Sequence, residues 1–318
     1  QIHQLPEPSV VGLVSYSLGL YRLLRAQGPF AAVHSHVHLF SGQVLAVAAA
    51  ARVPVRLAHS HCTSDGRVQG WTRRLYRWYM QCLLRSCATG VLGCSGPALV
   101  ELLGSARQGD LQARVLASGV DLNTYASLPG DQRLARAALG LPLDGPLIGH
   151  VGRFEAVKNH EHVITVFVAT LERLPGAFLV LAGEGPLRGN IEARIRGLGL
   201  ESRVRFLGLC RQVPQLMAAL DVLLLPSFHE GLGLVLVESQ AAGTPAVASD
   251  RVPAEVDAGL GLVRFISLGA GLDDWVRAIE AGLAACRPPW PMRKQALEKA
   301  GRDIRQAAGW LQDVYDSV

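Results

Sequence analysis

Short apolar runs rich in Val, Leu and Ala alternate along this chain with longer amphipathic stretches, and that alternation constrains the fold more than any other feature. A strand that is apolar on both faces must be covered on both faces, which a parallel sheet wound with helices achieves. The expected class is therefore α/β with doubly wound parallel sheets. A first series of strands is expected near Ala31 to His34, Val55 to Ala58, Gly90 to Cys94 and Arg114 to Ala117. A second follows near Leu147 to Val151, Phe178 to Ala182, Arg203 to Leu207, Asp221 to Leu225, Ala246 to Ser249 and Val263 to Ile266. Gly119, Gly130, Gly140, Pro142 and Gly145 collect between the two series and place a domain boundary near residue 142. The expected organisation is a first domain over 1–142, a second over 143–291, and C-terminal helices over 292–318 that pack back on the first. With 318 residues, 49% of them hydrophobic, the chain can fill two cores of about 100 to 200 residues each.

A formal charge of +5 suits an anionic ligand or an acidic membrane surface, and does not by itself imply nucleic acid. The six cysteines form no C-x-x-C pair or close zinc-type spacing, so they read as reduced thiols of a cytoplasmic protein. The apolar stretch Val44 to Ala51 is cut by Arg52 and Arg56, well short of the ~18 residues of a membrane span. The opening QIHQLPEPS lacks the basic and apolar regions of a secretory signal.

Glycines and charges of the second series gather just after its strands: Gly152-Arg153, Gly183-Glu184-Gly185-Pro186, His229-Glu230-Gly231 and Ser249-Asp250. In open parallel sheets the crevice at the carboxyl ends of the strands is where ligands bind, so the four clusters point to one site. In PSFHEGLGLVLVE, Gly231 and Gly233 let the first N–H groups of the following helix approach a phosphate closely. Glu238, about five residues into that helix, is placed to accept hydrogen bonds from ribose hydroxyls, and Glu230 to face a sugar. Arg153 and Lys158, in VGRFEAVKNH, flank a strand-to-helix loop and can reach a diphosphate. Fixed cations there would stabilise a departing nucleoside diphosphate without a metal. Taken singly, each of these charges is also what a solvated loop carries.

GRFEAVKNH, LAGEGP, RVRFLG and above all PSFHEGLGLVLVESQAAGTPAVASD resemble the carboxyl-terminal domain of retaining glycosyltransferases with the two-domain GT-B fold, built from Rossmann-like halves. The likeness is especially to the group 1, family 4-like enzymes of exopolysaccharide and lipid-linked glycan synthesis in bacteria. Their E-x7-E signature falls on Glu230 and Glu238. The resemblance implies that Arg153, Lys158 and the backbone of Gly231, Leu232 and Gly233 hold the diphosphate of a nucleotide sugar, UDP-sugar favoured. It further implies that Glu238 holds the ribose, that Glu230 orients the sugar, and that the base stacks near Arg203 to Gly208. In the first domain VHSHVHLFSG and LAHSHCTSDG resemble the two histidine-bearing strand ends of the family. His61 is the candidate contact for the transferred sugar, with His59 as the other possible match. At least two of His34, His36 and His38 are expected to be buried histidines satisfied by backbone. Family members begin with a strand and a glycine-rich loop ahead of the segment matching QIHQLP, so the first domain is expected to be incomplete and the chain truncated at its N-terminus.

No cofactor and no metal are expected, as no D-x-D motif stands near a strand end. The partners implied are a nucleotide-sugar donor and a glycan or lipid-linked acceptor. Trp71, Leu75, Trp78 and Cys82 recur at helical spacing among Arg73, Arg74, Arg77 and Arg85. That basic amphipathic helix suits peripheral contact with the anionic inner face of a plasma membrane, or packs its aromatics inside an ordinary domain. Two other readings stand beside the transferase: a non-catalytic nucleotide-sugar-binding remnant, and an epimerase on the same donors. The E-x7-E context disfavours the epimerase, which needs acid and base groups placed for proton return.

Overall fold

Nine buried or half-buried runs and the largely exposed Gln112–Val115 form ten parallel strands in a computed structural model that describes residues 2–63, 70–104, 112–128 and 130–316. They are β1 (Ala32–Ser35), β2 (Val55–Ser60), β3 (Gly90–Gly93), β4 (Gln112–Val115), β5 (Leu147–Val151), β6 (Phe178–Ala182), β7 (Val204–Gly208), β8 (Val222–Leu225), β9 (Ala246–Ser249) and β10 (Val263–Ile266). The chain divides into two units, one of residues up to 117 together with 306–318, the other of residues 118–305.

In the first unit the strands run in the order β1-β2-β3-β4. Leu39, Leu45, Ala58, Met80, Leu84, Val91, Leu99 and Leu102 fill one core of this sheet. The other face of β2 and β3, with Val55, Leu57 and Leu92, is covered by Ala307, Trp310, Leu311, Val314 and Tyr315 from the end of the chain.

The second unit has the order β10-β9-β8-β5-β6-β7. Its first strand in sequence, β5, is therefore central, and the winding reverses direction between β5 and β8. The core around Phe154, Val163, Phe167, Leu179, Leu181, Leu224 and Trp275 lies against this sheet. Such a reversal opens a crevice at the strand ends, because the two connections leave to opposite sides.

The expected boundary near residue 142 falls inside the second unit. The segment 118–142 is tied there by Arg136, which donates to Asp221 Oδ2 at 2.5 Å and to the Ala219 carbonyl at 3.0 Å. Gln132 donates to Asp221 Oδ1 at 2.7 Å. The C-terminal helices also divide. Trp290–Lys299 stays on the second unit, where Arg293 donates to the Ala241 carbonyl, and only 306–318 join the first. Among the described residues no helix is long and apolar enough to cross a membrane.

Candidate active site

The four clusters singled out in the sequence follow β5, β6, β8 and β9, which are adjacent in the sheet, so their loops emerge side by side. Backbone bonds lock the loops together. Phe154 N donates to Glu184 O at 2.9 Å and Leu187 N to Phe154 O at 3.0 Å, joining the loops after β5 and β6. A Cβ at Gly183, whose φ is +141°, would fall against the Gly152 carbonyl oxygen, so only glycine lets these two loops lie in contact. Across the reversal point, Phe228 N donates to Val157 O at 2.8 Å and the Asn159 side chain to Pro226 O at 3.1 Å. Ser249 Oγ completes the row by donating to Ser227 O at 2.5 Å.

On this framework Lys158 Nζ lies 2.6 Å from Glu230 Oε1, and the Ser227 hydroxyl donates to the same oxygen at 2.7 Å. Both members of the ion pair are largely shielded, with side-chain exposures of 19% and 12%. A carboxylate facing an anion site would repel the ligand, and the ammonium beside it cancels that repulsion. Arg153 is exposed and pairs with Glu155 at 2.5 Å, leaving a long cationic arm over the same loop.

The helix Leu234–Ala242 starts at Gly233, which is left-handed at φ +85°. A helix N-terminus entered through glycine is a kind of place where an anion can be held. Leu232, expected among the donor contacts, has its side chain buried at 3% exposure, so only its backbone is offered. Glu238 is the fifth residue of this helix. Burial pushes its carboxyl up to about 7. Tyr125 is buried nearby, and burial and the Glu238 charge both raise its phenol. Around the end of β7, where the base was expected, Arg188 lies over the Phe206 ring at 5.7 Å and pairs with Glu184.

In the first unit, the motif LAHSHCTSDG reaches past the described residues at Ser64, Asp65 and Gly66. His61 is exposed just beyond β2, and its Nε2 lies 2.8 Å from His36 Nδ1. Its ionisation is lowered by desolvation and then by the neighbouring His36. His59 is buried at 6% exposure, so of the two alternatives His61 is the one open to a ligand. His34 differs from expectation: its Nδ1 bonds not to backbone but to the Tyr315 hydroxyl, at 2.6 Å.

Two Rossmann-like parallel sheets in succession, the second with a winding reversal beside β5, are the architecture of a GT-B glycosyltransferase. Residues 2–119 match the family model described as glycosyl transferase 4-like domain, and residues 131–258 that of glycosyl transferases group 1. Over 293 residues the chain is 38% identical to a Bacillus subtilis (strain 168) protein named as glycosyltransferase EpsF, covering 92% of this chain and 76% of that one. It is 35% identical over 204 residues to the D-inositol 3-phosphate glycosyltransferase of Mycobacterium tuberculosis (strain ATCC 25177 / H37Ra), covering 62% of this chain and 40% of that one. In fold it resembles Anabaena Alr3699/HepE, solved in complex with UDP, at a TM-score of 0.77 and 21% identity over 98% of this chain and 85% of that one. The same Anabaena protein has been solved with UDP-glucose. The chain belongs to the group 1 glycosyltransferase family and is a transferase enzyme.

Proposed function

We propose that this enzyme moves a sugar from a UDP-sugar to a hydroxyl of a glycan or lipid-linked acceptor in exopolysaccharide synthesis, with retention at the anomeric carbon. The observation that carries this reading is the set of Lys158, Glu230 and Ser227, bonded together beside the glycine-started helix that bears Glu238. The helix terminus and Gly231 to Gly233 backbone take the diphosphate, and Lys158 and Arg153 neutralise the charge that grows on it as the glycosidic bond breaks. Those two cations supply what a metal ion would otherwise contribute. Glu238 accepts from the ribose hydroxyls, and Glu230, held by Lys158 and Ser227, orients the sugar. The departing phosphate takes the acceptor proton on the face from which it leaves, so configuration is kept without a covalent sugar–enzyme link. His61, on the first unit, is the proposed contact for the transferred sugar. UDP is favoured by the resemblance and by the ligands of Alr3699/HepE.

A calorimetric panel of nucleoside diphosphates and their sugars tests the donor assignment. Saturable binding of UDP, at least tenfold weaker in Glu238→Ala, is expected; a folded chain that binds no nucleoside diphosphate overturns the reading.

We also infer peripheral contact with an anionic membrane. In the helix Trp71–Cys87, Met80 and Leu84 face the core, whereas Trp71, Leu75 and Trp78 are exposed at 78%, 56% and 60%. The sequence alternative, with these aromatics packed inside, is not what the fold does. Arg77 is drawn to Glu101 at 2.7 Å and Arg73 lies over Tyr76, while Arg74 remains on the exposed side. Co-sedimentation with phosphatidylglycerol vesicles, reduced in Trp71→Ala/Trp78→Ala, is the expected result. Equal recovery of both proteins in the supernatant would exclude this contact.

A further inference from the structure

Residues two apart in a strand share a face. His34 and His36 stand in this relation at the end of β1, as do His59 and His61 at the end of β2, and parallel pairing sets Ser35 beside Ala58. The four imidazoles therefore meet at one corner of the sheet. Ring centroids are 4.2 Å apart for His34 and His36, 4.2 Å for His59 and His61, and 5.2 Å for His36 and His59. One ring nitrogen from each of His34, His36 and His59 lies within 4.8 Å of the other two.

Imidazoles gathered in this way are expensive unless their buried nitrogens are satisfied. His34 Nδ1 is taken by the Tyr315 hydroxyl at 2.6 Å, while its Nε2 is buried with no partner among the described residues. Both ring nitrogens of His59 are buried in the same condition. In the tautomer whose Nδ1–H donates to the phenol oxygen, His34 Nε2 keeps a lone pair for a ligand. A metal-ligating histidine is held in this manner, its second nitrogen donating to an oxygen that fixes ring and tautomer. His36 has a comparable support, its Nδ1 lying 2.8 Å from His61 Nε2.

We propose that His34, His36 and His59 form a site for one transition-metal dication of the zinc type, with Tyr315 and His61 as the groups that orient two of the ligands. An all-imidazole set selects zinc, cobalt, nickel or copper over magnesium, manganese or calcium, which want oxygen. Three protein ligands leave one position of a tetrahedral ion open. The ion ties the ends of β1 and β2 together and, through His36, fixes the imidazole of His61. This inference goes beyond the donor-site reading and does not rest on it.

The test is titration of the chelator-treated full chain with zinc chloride by calorimetry and with cobalt chloride by visible absorption. One ion per chain and the absorption of low-coordinate cobalt are expected, with no competition from excess magnesium chloride. His36→Ala, at an exposed position, and His59→Asn should each weaken zinc binding at least tenfold. Tyr315→Phe, which removes only the orienting hydroxyl, should weaken it by about 10- to 100-fold. His3→Ala, on an exposed residue outside the cluster, should leave it unchanged. Circular dichroism separates a lost site from a lost fold. A folded chain that takes up no zinc, or His36→Ala and Tyr315→Phe variants that bind zinc as tightly as the unsubstituted chain, would overturn the proposal.

Discussion

Replacing Lys158 with alanine is expected to lower kcat for donor cleavage by about 10²- to 10³-fold, the effect of removing one preorganised group from a developing anion. Two losses combine in this substitution. The leaving diphosphate is deprived of a shielded cation, and Glu230 is deprived of the ammonium that lies 2.6 Å away and keeps its carboxylate from opposing the donor. Lys158→Arg should recover only part of the rate, because the larger planar guanidinium does not fit the compact position between Glu230 and the Gly152 backbone. The measurement is release of UDP from the donor that the binding panel selects, with Glu230→Gln and the double variant alongside. Since the two side chains act as one unit, the double variant should lose far less than the product of the single losses. Additive losses, or a drop of less than about fivefold in Lys158→Ala, would remove Lys158 from the proposed role.

Glu238→Gln should stabilise the protein increasingly as pH rises. In the folded chain burial holds the Glu238 carboxyl at about 7, against an ordinary value of 4.5 when unfolded. Between those values the folded state binds the extra proton, so stability falls as pH rises through the interval. The penalty is absent well below the unfolded value and complete above the folded one. Glutamine does not titrate, so its advantage over glutamate should widen by about 2 kcal/mol between pH 5 and pH 8. Urea unfolding of both proteins at the two pH values measures this directly. A difference that stays constant with pH would mean that Glu238 is ionised normally in the folded chain. The same substitution is expected to weaken UDP binding, so a residue that opposes folding is retained where the donor's ribose is proposed to lie.

Much of this organisation was legible in the sequence because it rests on local pattern. Leu147–Val151, Phe178–Ala182, Ala246–Ser249 and Val263–Ile266 are strands over the ranges expected from their apolar runs. The row of loops was legible too, because glycine and charge directly after a buried strand have few other uses. The boundary was not. Glycine and proline mark where a chain turns but not which core it then joins, and that choice was made by Arg136 and Gln132 reaching Asp221, more than eighty residues away. Arginine in an amphipathic helix reads as solvated until its partner is known. The histidine corner was hidden for a related reason. Strand periodicity puts His34, His36, His59 and His61 on matching faces, but Tyr315, which bonds His34, comes 281 residues later. The aromatics of the Trp71–Cys87 helix were ambiguous because helical spacing defines a stripe without saying what covers it.

The return of residues 306–318 to the first sheet makes the order of synthesis matter. Until Ala307, Trp310, Leu311, Val314 and Tyr315 have left the ribosome, Val55, Leu57 and Leu92 have no cover on that side. The first unit is therefore completed only after the second has been made, with a sticky sheet exposed throughout translation of the second unit. An insertion between Ala307 and Tyr315 would disturb the segment that seals this sheet, whereas the exposed turn at Gly259 to Gly261 carries no such burden.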